Sequence, residues 1–303
     1  MWPTGALADQ SIQGEPTMRR RELIKAGLLG LAAFPLLPLT VANADAADAF
    51  AALERRHGGR LGVAVLDTGS GRRLLHRADE RFLMCSTGKL LAVAAVLARV
   101  DRGEERLDRR ITFRPDDVLE WAPVTRLRVG PPGMTVAELC HAAITVSDNT
   151  AMNLLLASLG GPARLTRFVR GLGDPLTRFD RTEPSLNVPG PQGIEDSTTP
   201  VAMLDDMHRV LLGDVLSPVS REQLLDWLRH NTTGTQQLRA GLPAGWTAGD
   251  KTGASQTQNN DVAIAWPPGR APVLITAFYE GPAGATEARK AVLARVGTLA
   301  AGV

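Results

Sequence analysis

Ser86 and Lys89 are the residues of this chain best placed to do chemistry. They stand in Ser86-Thr87-Gly88-Lys89, directly ahead of an apolar run from Leu90 to Leu97. A separation of three on a helix puts both side chains on one face. A helix start also offers unpaired N–H groups and a partial positive charge, which favour the oxyanion formed when a serine attacks a carbonyl. A lysine buried there gives up its proton more easily and serves as a base for the serine. Lysine is scarce elsewhere: among 34 Lys+Arg, the lysines are Lys25, Lys89, Lys251 and Lys290. Arginine stays charged at accessible pH, so a site that needs a neutral amine must use lysine. Lys251 opens Lys251-Thr252-Gly253, and Ser147-Asp148-Asn149 forms a third polar segment. Taken singly, each has an ordinary explanation: helical spacing, a capping turn, a strand edge with a glycine. Taken together and in this order, they describe a serine-nucleophile site.

The elements that must position these residues are legible in outline. A helix is expected over 46–57, closed by Gly58-Gly59. Strands follow over 61–66 and 72–77, joined by Asp67-Thr68-Gly69-Ser70-Gly71. Residues 90–100 are apolar nearly all round, which marks a buried helix. Thr135-Val136-Ala137-Glu138 has the capping-box pattern, and a further helix over 149–159 ends at Gly160-Gly161. Residues 173–200 read as a long loop, and long loops in compact domains are usually functional or disordered. Thr199-Pro200 opens a helix, and another spans 220–230. Three strands, 246–253, 261–266 and 273–279, precede a last helix over 286–300. Strands at both ends and helices between them imply an α/β chain of the α+β type. Its expected architecture is an antiparallel five-stranded sheet flanked by terminal helices, with an inserted all-helical domain. The boundaries expected are 45–84 and 230–303 for the sheet domain and 85–229 for the helical one.

Bulk properties exclude several functions. A formal net charge of +2 and a hydrophobic content of 44% describe a globular protein without an electrostatic claim on nucleic acid. The histidines His57, His76, His141, His208 and His230 are scattered, and there is no Cys-x-x-Cys, so neither a metal nor another cofactor is expected. Cys85 and Cys140 are expected to be buried free thiols. Residues 1–44 carry Arg20-Arg21, an apolar stretch from Ala26 to Ala42 interrupted by Pro35 and Pro38, and the small-residue end Ala42-Asn43-Ala44. That is the pattern of a cleaved twin-arginine-like export signal and not of a stable membrane anchor. Met18 is an alternative start, which would leave residues 1–17 untranslated. The mature protein is expected in the periplasm or outside the cell.

The three motifs resemble those of the class A serine β-lactamases. The resemblance runs from about Leu53 to the last helix and includes Gly62-Val63-Ala64-Val65-Leu66-Asp67-Thr68, Arg81-Phe82-Leu83-Met84-Cys85-Ser86-Thr87 and Leu242-Pro243-Ala244-Gly245-Trp246. Arg181-Thr182-Glu183-Pro184-Ser185-Leu186-Asn187 matches the Ω-loop of that family, here 178–196. By resemblance Ser86 is the nucleophile, and Lys89 and Glu183 are both candidate bases for acylation. Glu183, helped by Asn187, would activate the water that hydrolyses the acyl-enzyme, and Ser147 would pass a proton to the leaving nitrogen. Asn149 would bind the substrate's side-chain amide, while Lys251 and Thr252 of the Lys251-Thr252-Gly253 strand would face its carboxylate. The backbone N–H groups of Ser86 and Ala254 would form the oxyanion hole, and Trp121 would stand at the pocket entrance. An Arg181–Asp196 ion pair is implied across the loop neck. The implied partner is a small-molecule β-lactam, opened by a monomer that confers resistance. Two alternatives share part of the pattern: a penicillin-binding acyltransferase or D-alanyl carboxypeptidase, and a non-hydrolysing β-lactam sensor. The chain also departs from the family. Asn260 or a neighbour stands where many relatives carry a carboxylate-binding arginine, with Arg289 or Lys290 as candidate replacements. Gly88 stands where relatives often have a bulky residue, and Cys85 has no cysteine partner near Ser255.

Overall fold

The computed structural model describes residues 39–303, with side chains from Asp48 onward. The expected export segment therefore lies outside the described residues as far as residue 38. The first helix, α1 (Leu39–His57), begins earlier than expected, because its alanine-rich sequence contains neither proline nor glycine to stop it. β1 (Arg60–Asp67) turns back as β2 (Arg73–His76), and β3 (Phe82–Leu83) leads through one 3₁₀ turn into α2 (Lys89–Asp101). β4 (Arg110–Ile111) and β5 (Met134–Thr135) form a small ladder before α3 (Val136–Thr145), α4 (Asn149–Leu159) and α5 (Pro162–Gly171). The long loop ends in β6 (Ser197–Thr198), which pairs with β3. Then come α6 (Pro200–Leu211), α7 (Pro218–Arg229), α8 (Leu238–Gly241), β7 (Thr247–Ala254), β8 (Gln258–Trp266), β9 (Val273–Glu280) and α9 (Thr286–Ala300).

The main sheet is antiparallel and five-stranded, in the order β2-β1-β9-β8-β7. Both its faces are covered, which is why its strands read as nearly unbroken apolar runs. Val63 and Val65 of β1 and Ile275 and Ala277 of β9 face Phe50 of α1 and Val292, Leu293 and Val296 of α9. The alternate residues, Ala64 and Leu66 of β1 with Leu274 and Phe278 of β9, join the core formed with the helices. That core surrounds α2, whose residues Leu90 to Ala98 are all buried against α3, α4, α5 and α7 among others.

Several helix ends follow the expected local chemistry. Thr135 accepts from Glu138 N while Glu138 accepts from Thr135 N, at 3.1 and 2.7 Å. Thr199 caps α6 by accepting from Ala202 N, with Pro200 in the first turn. α5 lies outside the expected elements. Pro162 starts it, and only Leu165 and Val169 are buried on it, too short an apolar stripe to stand out in sequence. Cys85 and Cys140 are free and buried, and burial pushes both thiols well above their ordinary pKa. Among the described residues no helix is long and apolar enough to cross a membrane.

Candidate active site

Ser86 occupies the 3₁₀ turn Cys85–Gly88 that feeds α2. The corner before it is tight: Cys85 has φ 49°, in the left-handed region that few side chains adopt without support. That support comes from distant strands and loops. Asn260 Nδ2 donates to Leu83 O and Met84 O at 2.8 and 3.1 Å, and Met84 N donates to Asp196 O at 3.0 Å. β7 then presses directly on the turn. A Cβ at Gly253 would lie 2.8 Å from Met84 O and 3.1 Å from Ser86 N, so only glycine permits this approach. The close approach puts Ala254 in the same cleft wall as Ser86.

Beneath the serine lies a fully buried polar cluster. Lys89 Nζ lies within hydrogen-bond distance of Ser86 Oγ at 2.9 Å, Ser147 O at 2.8 Å, Ser147 Oγ at 3.2 Å and Asn149 Oδ1 at 2.6 Å, which share its three N–H donors. It also lies 3.0 Å from Glu183 Oε1. Burial pushes the Lys89 pKa down, and the Glu183 carboxylate opposes that shift. Ser147, at φ 57°, stands between the two lysines, since Lys251 Nζ donates to its Oγ at 3.1 Å. Burial, followed by the Lys89 cation nearby, pushes Lys251 down to about 7. The turn carrying Ser147 is held by Asp148, which accepts from Ala151 N at 2.9 Å and from Val124 N and Thr125 N at 3.0 and 2.9 Å. Those bonds also fix the loop bearing Trp121, whose Nε1 donates to Val146 O at 3.1 Å.

Glu183 is brought to the serine by the long loop. Its carboxylate is wholly buried, and Ser86 Oγ donates to its Oε1 at 3.3 Å. Asn187 Nδ2 donates to the other oxygen. The loop neck carries the expected ion pair, Arg181 Nε to Asp196 Oδ2 at 2.6 Å. Asp196 also accepts from Asp180 N and Arg181 N, at 2.8 and 3.0 Å. Gly88 makes room for this loop: a Cβ there would lie 2.7 Å from the Phe179 ring. Asn153 is a residue that the motifs do not reveal. Its Oδ1 accepts from Glu183 N and its Nδ2 donates to Glu183 O, each at 2.9 Å, so it grips the Glu183 backbone from both sides. Its one sequence signal is a separation of four from Asn149 along α4, which places both on one helix face.

These groups open onto a cleft of about 440 Å³. Ser86, Trp121, Ser147, Asn149, Asn187, Thr252, Gly253 and Ala254 line it, while Lys89, Glu183 and Lys251 lie buried behind the wall. Trp121 is 56% exposed at the mouth. Thr233, Gln237, Asn259, Thr286 and Lys290 complete the lining. Of these, Lys290 is anticipated from sequence by number, and Asn259 only as a neighbour of Asn260. Asn260 does not face the cleft, because its amide is spent on the carbonyls before Ser86; its neighbour Asn259 faces it instead.

A buried acidic pair, Asp250 of β7 and Asp261 of β8, lies behind this wall. Asp250 accepts from Asn231 Nδ2 at 2.8 Å and pairs with Arg239, and Asp261 accepts from Leu238 N at 3.0 Å. Burial first, then Asp250 beside it, holds Asp261 well above the usual carboxylate range, so the pair retains a proton. The unfolded chain releases that proton above about pH 4, so wild-type stability falls as pH rises from there towards the folded pKa, by about 1.4 kcal/mol per pH unit for one proton. Asp261→Asn keeps a donor in place of the protonated acid and removes this slope. Thermal unfolding followed upward from pH 4 should therefore show the variant gaining on wild type as pH rises towards the folded pKa. Parallel Tm profiles would exclude a retained proton.

Together, these groups are suited to forming an ester on Ser86 and bringing a base to it. Fold and site thus define a serine acyl-transferring enzyme. Comparison with known proteins narrows the class. The profile described as "Beta-lactamase enzyme family" matches residues 45–302. Beta-lactamase OXY-1 of Klebsiella oxytoca is 44% identical over 89% of this chain and 94% of its own length. Beta-lactamase L2 of Stenotrophomonas maltophilia is 49% identical over 86% of each. Among solved structures, an ancestral class A beta-lactamase superposes with a TM-score of 0.81 at 58% identity, over 84% of this chain and 98% of that one. The putative class A beta-lactamase PenP from Rhodopseudomonas palustris does so at 0.82 and 52%, over 85% and 99%. The chain belongs to the beta-lactamase family, as a class A serine enzyme.

Proposed function

We propose that this protein hydrolyses the β-lactam amide of penicillins and cephalosporins through an ester on Ser86, and so confers resistance to them. The observation that carries the reading is the Glu183 carboxylate, buried 3.3 Å from Ser86 Oγ and 3.0 Å from Lys89 Nζ. A serine ester closed off in a pocket lasts until a base delivers water to it, and Glu183 is placed to do so.

In the acylation step Ser86 Oγ bonds to the lactam carbonyl carbon, and its proton passes to Glu183 Oε1, the acceptor it faces. The N–H groups of Ser86 and Ala254 receive the oxyanion. The carbonyl carbon–nitrogen bond then breaks. The nitrogen takes the Ser147 hydroxyl proton, Ser147 is resupplied by Lys89, and Lys89 by Glu183, which restores the carboxylate. Glu183 next takes a proton from water, whose oxygen bonds to the ester carbonyl carbon; the bond from that carbon to Ser86 Oγ breaks, and the proton passes from Glu183 to Ser86 Oγ, which restores both groups. The burial that lowers the Lys89 pKa favours a second acylation route, in which neutral Lys89 takes the serine proton directly. Asn149 Oδ1 is occupied by Lys89, so its Nδ2 is left for a substrate carbonyl. Lys251 and Thr252 face the substrate carboxylate, and Trp121 covers the mouth.

Because all these groups come from one chain, a monomer suffices. Residues 1–44 serve as the export segment, on the strength of Arg20-Arg21 and the apolar stretch after it. The mature chain then works in the periplasm or outside the cell, organised as 45–84 with 230–303 and 85–229. Incubation with a chromogenic cephalosporin tests the activity. Many turnovers per protein support hydrolysis, whereas a single stoichiometric burst would replace it with the sensor or acyltransferase reading.

A further inference from the structure

Trp121 is more than half exposed at the cleft mouth, on a connection that belongs to no helix or strand. An aromatic side chain so placed ordinarily swings, and a substrate that packs on it must first order it. Here the main chain that carries it is held at three successive carbonyls. Trp121 O accepts from Asn149 N at 2.9 Å. The carbonyls on either side go to a single side chain. Arg126 Nε donates to Ala122 O at 3.0 Å, and a terminal nitrogen of the same guanidinium donates to Glu120 O. The indole is anchored as well, through Nε1 to Val146 O at 3.1 Å.

The direction in which the indole leaves the chain depends on the peptide planes before and after Trp121. Arg126 holds the first through Glu120 O, and Asn149 holds the second through Trp121 O. A planar guanidinium reaches two carbonyls at once, whereas an ammonium is a point charge on a flexible stem. Arg126 is exposed, and among the described residues it forms no ion pair. The loop does not need it in order to fold, because Asp148 already holds Val124 N and Thr125 N from the buried side, at 3.0 and 2.9 Å. What the clamp adds is confined to the segment that bears Trp121.

We propose that Arg126 is a positioning residue: it clamps the main chain on both sides of Trp121 and so presents the indole as a preformed wall for substrates that pack against it. This rests on the β-lactam reading of the cleft. Such a wall meets the substrate equally before and during ring opening. Its loss therefore weakens capture of the substrate and spares the chemical step.

The test is a double-mutant cycle read on ring opening of a chromogenic cephalosporin. The second-order rate at low substrate reports acylation whether or not the ester is later hydrolysed, so this inference is decided even if the hydrolase reading fails. Arg126→Met should lower that rate by about three- to tenfold, the cost of ordering one large side chain on binding. The rate at saturating substrate should move less than about twofold. In Trp121→Ala protein, itself slowed, adding Arg126→Met should change the second-order rate by less than about twofold. Arg126→Lys keeps the charge and loses the fork, so it should behave as Arg126→Met does, and it carries the test should that variant fail to fold. An equal fall in both backgrounds, or loss of folding in both Arg126 variants, would make Arg126 a general support and overturn the proposal. A wild-type rate in Arg126→Lys would assign the effect to charge and overturn it too, as would an unchanged rate in Arg126→Met or in Trp121→Ala. Wild-type protein that opens no cephalosporin would remove this inference together with the β-lactam reading.

Discussion

Glu183→Gln should turn the protein into a covalent trap: after mixing with a penicillin, its mass rises by that of the whole drug and stays there. Glutamine keeps the shape of the side chain and its place beside Asn187, but it cannot take a proton from water. General bases in such positions contribute about 10²- to 10⁴-fold, so deacylation should slow by at least that range. The same experiment separates the two acylation routes. If Glu183 also receives the Ser86 proton across the 3.3 Å contact, the adduct forms more slowly as well. If neutral Lys89 receives it, adduct formation keeps its rate and only release fails. Retained turnover with no accumulated adduct would remove Glu183 from the mechanism altogether.

Lys89→Met is expected to be the most damaging single change, because it acts on both chemistry and stability. Lys89 Nζ meets Ser86, Ser147, Asn149 and Glu183 within 3.2 Å, so its loss breaks the proton path at its centre. Acylation should fall by about 10³-fold or more, as when one member of a coupled catalytic group is removed. It also leaves the Glu183 carboxylate buried with no cation. Breaking one side of a buried pair costs about 3–5 kcal/mol. Adding Glu183→Gln removes the stranded charge. The double variant should regain much of the lost Tm at pH 8 while remaining unable to acylate. Additive losses in a thermal or urea double-mutant cycle would show that the two side chains are not energetically paired.

What was legible in the sequence follows from how local each constraint is. A capping box needs only Thr135 and Glu138, and a helix start needs only Thr199 and Pro200, so these ends appear where the residues imply them. The last helix also spans its expected 286–300. Ser86 with Lys89, Ser147 with Asn149, and Lys251 with Thr252 are each near neighbours in the chain, and the structure gathers all of them around one cleft. Asn153, Asn259 and Thr286 gave no such signal, and the sequence marks Asn260 only as standing, with its neighbours, in place of an arginine. Each is an ordinary polar residue whose meaning depends on a partner far away in sequence: Asn153 on Glu183, Asn260 on Leu83 and Met84, and Asn259 and Thr286 on Arg289 at the cleft wall.

By itself, then, the order of residues determined the class of chemistry, the sheet made from both ends of the chain, and the polar motifs that gather at one cleft. Tertiary structure alone decided which way the amides point and which charges go unmatched. Those outcomes depend on β7 lying against the Ser86 turn at Gly253 and on α9 packing Arg289 behind Asn259. A hydrogen-bond donor and its acceptor select each other through distance and burial, and neither quantity exists until the strands and helices have packed.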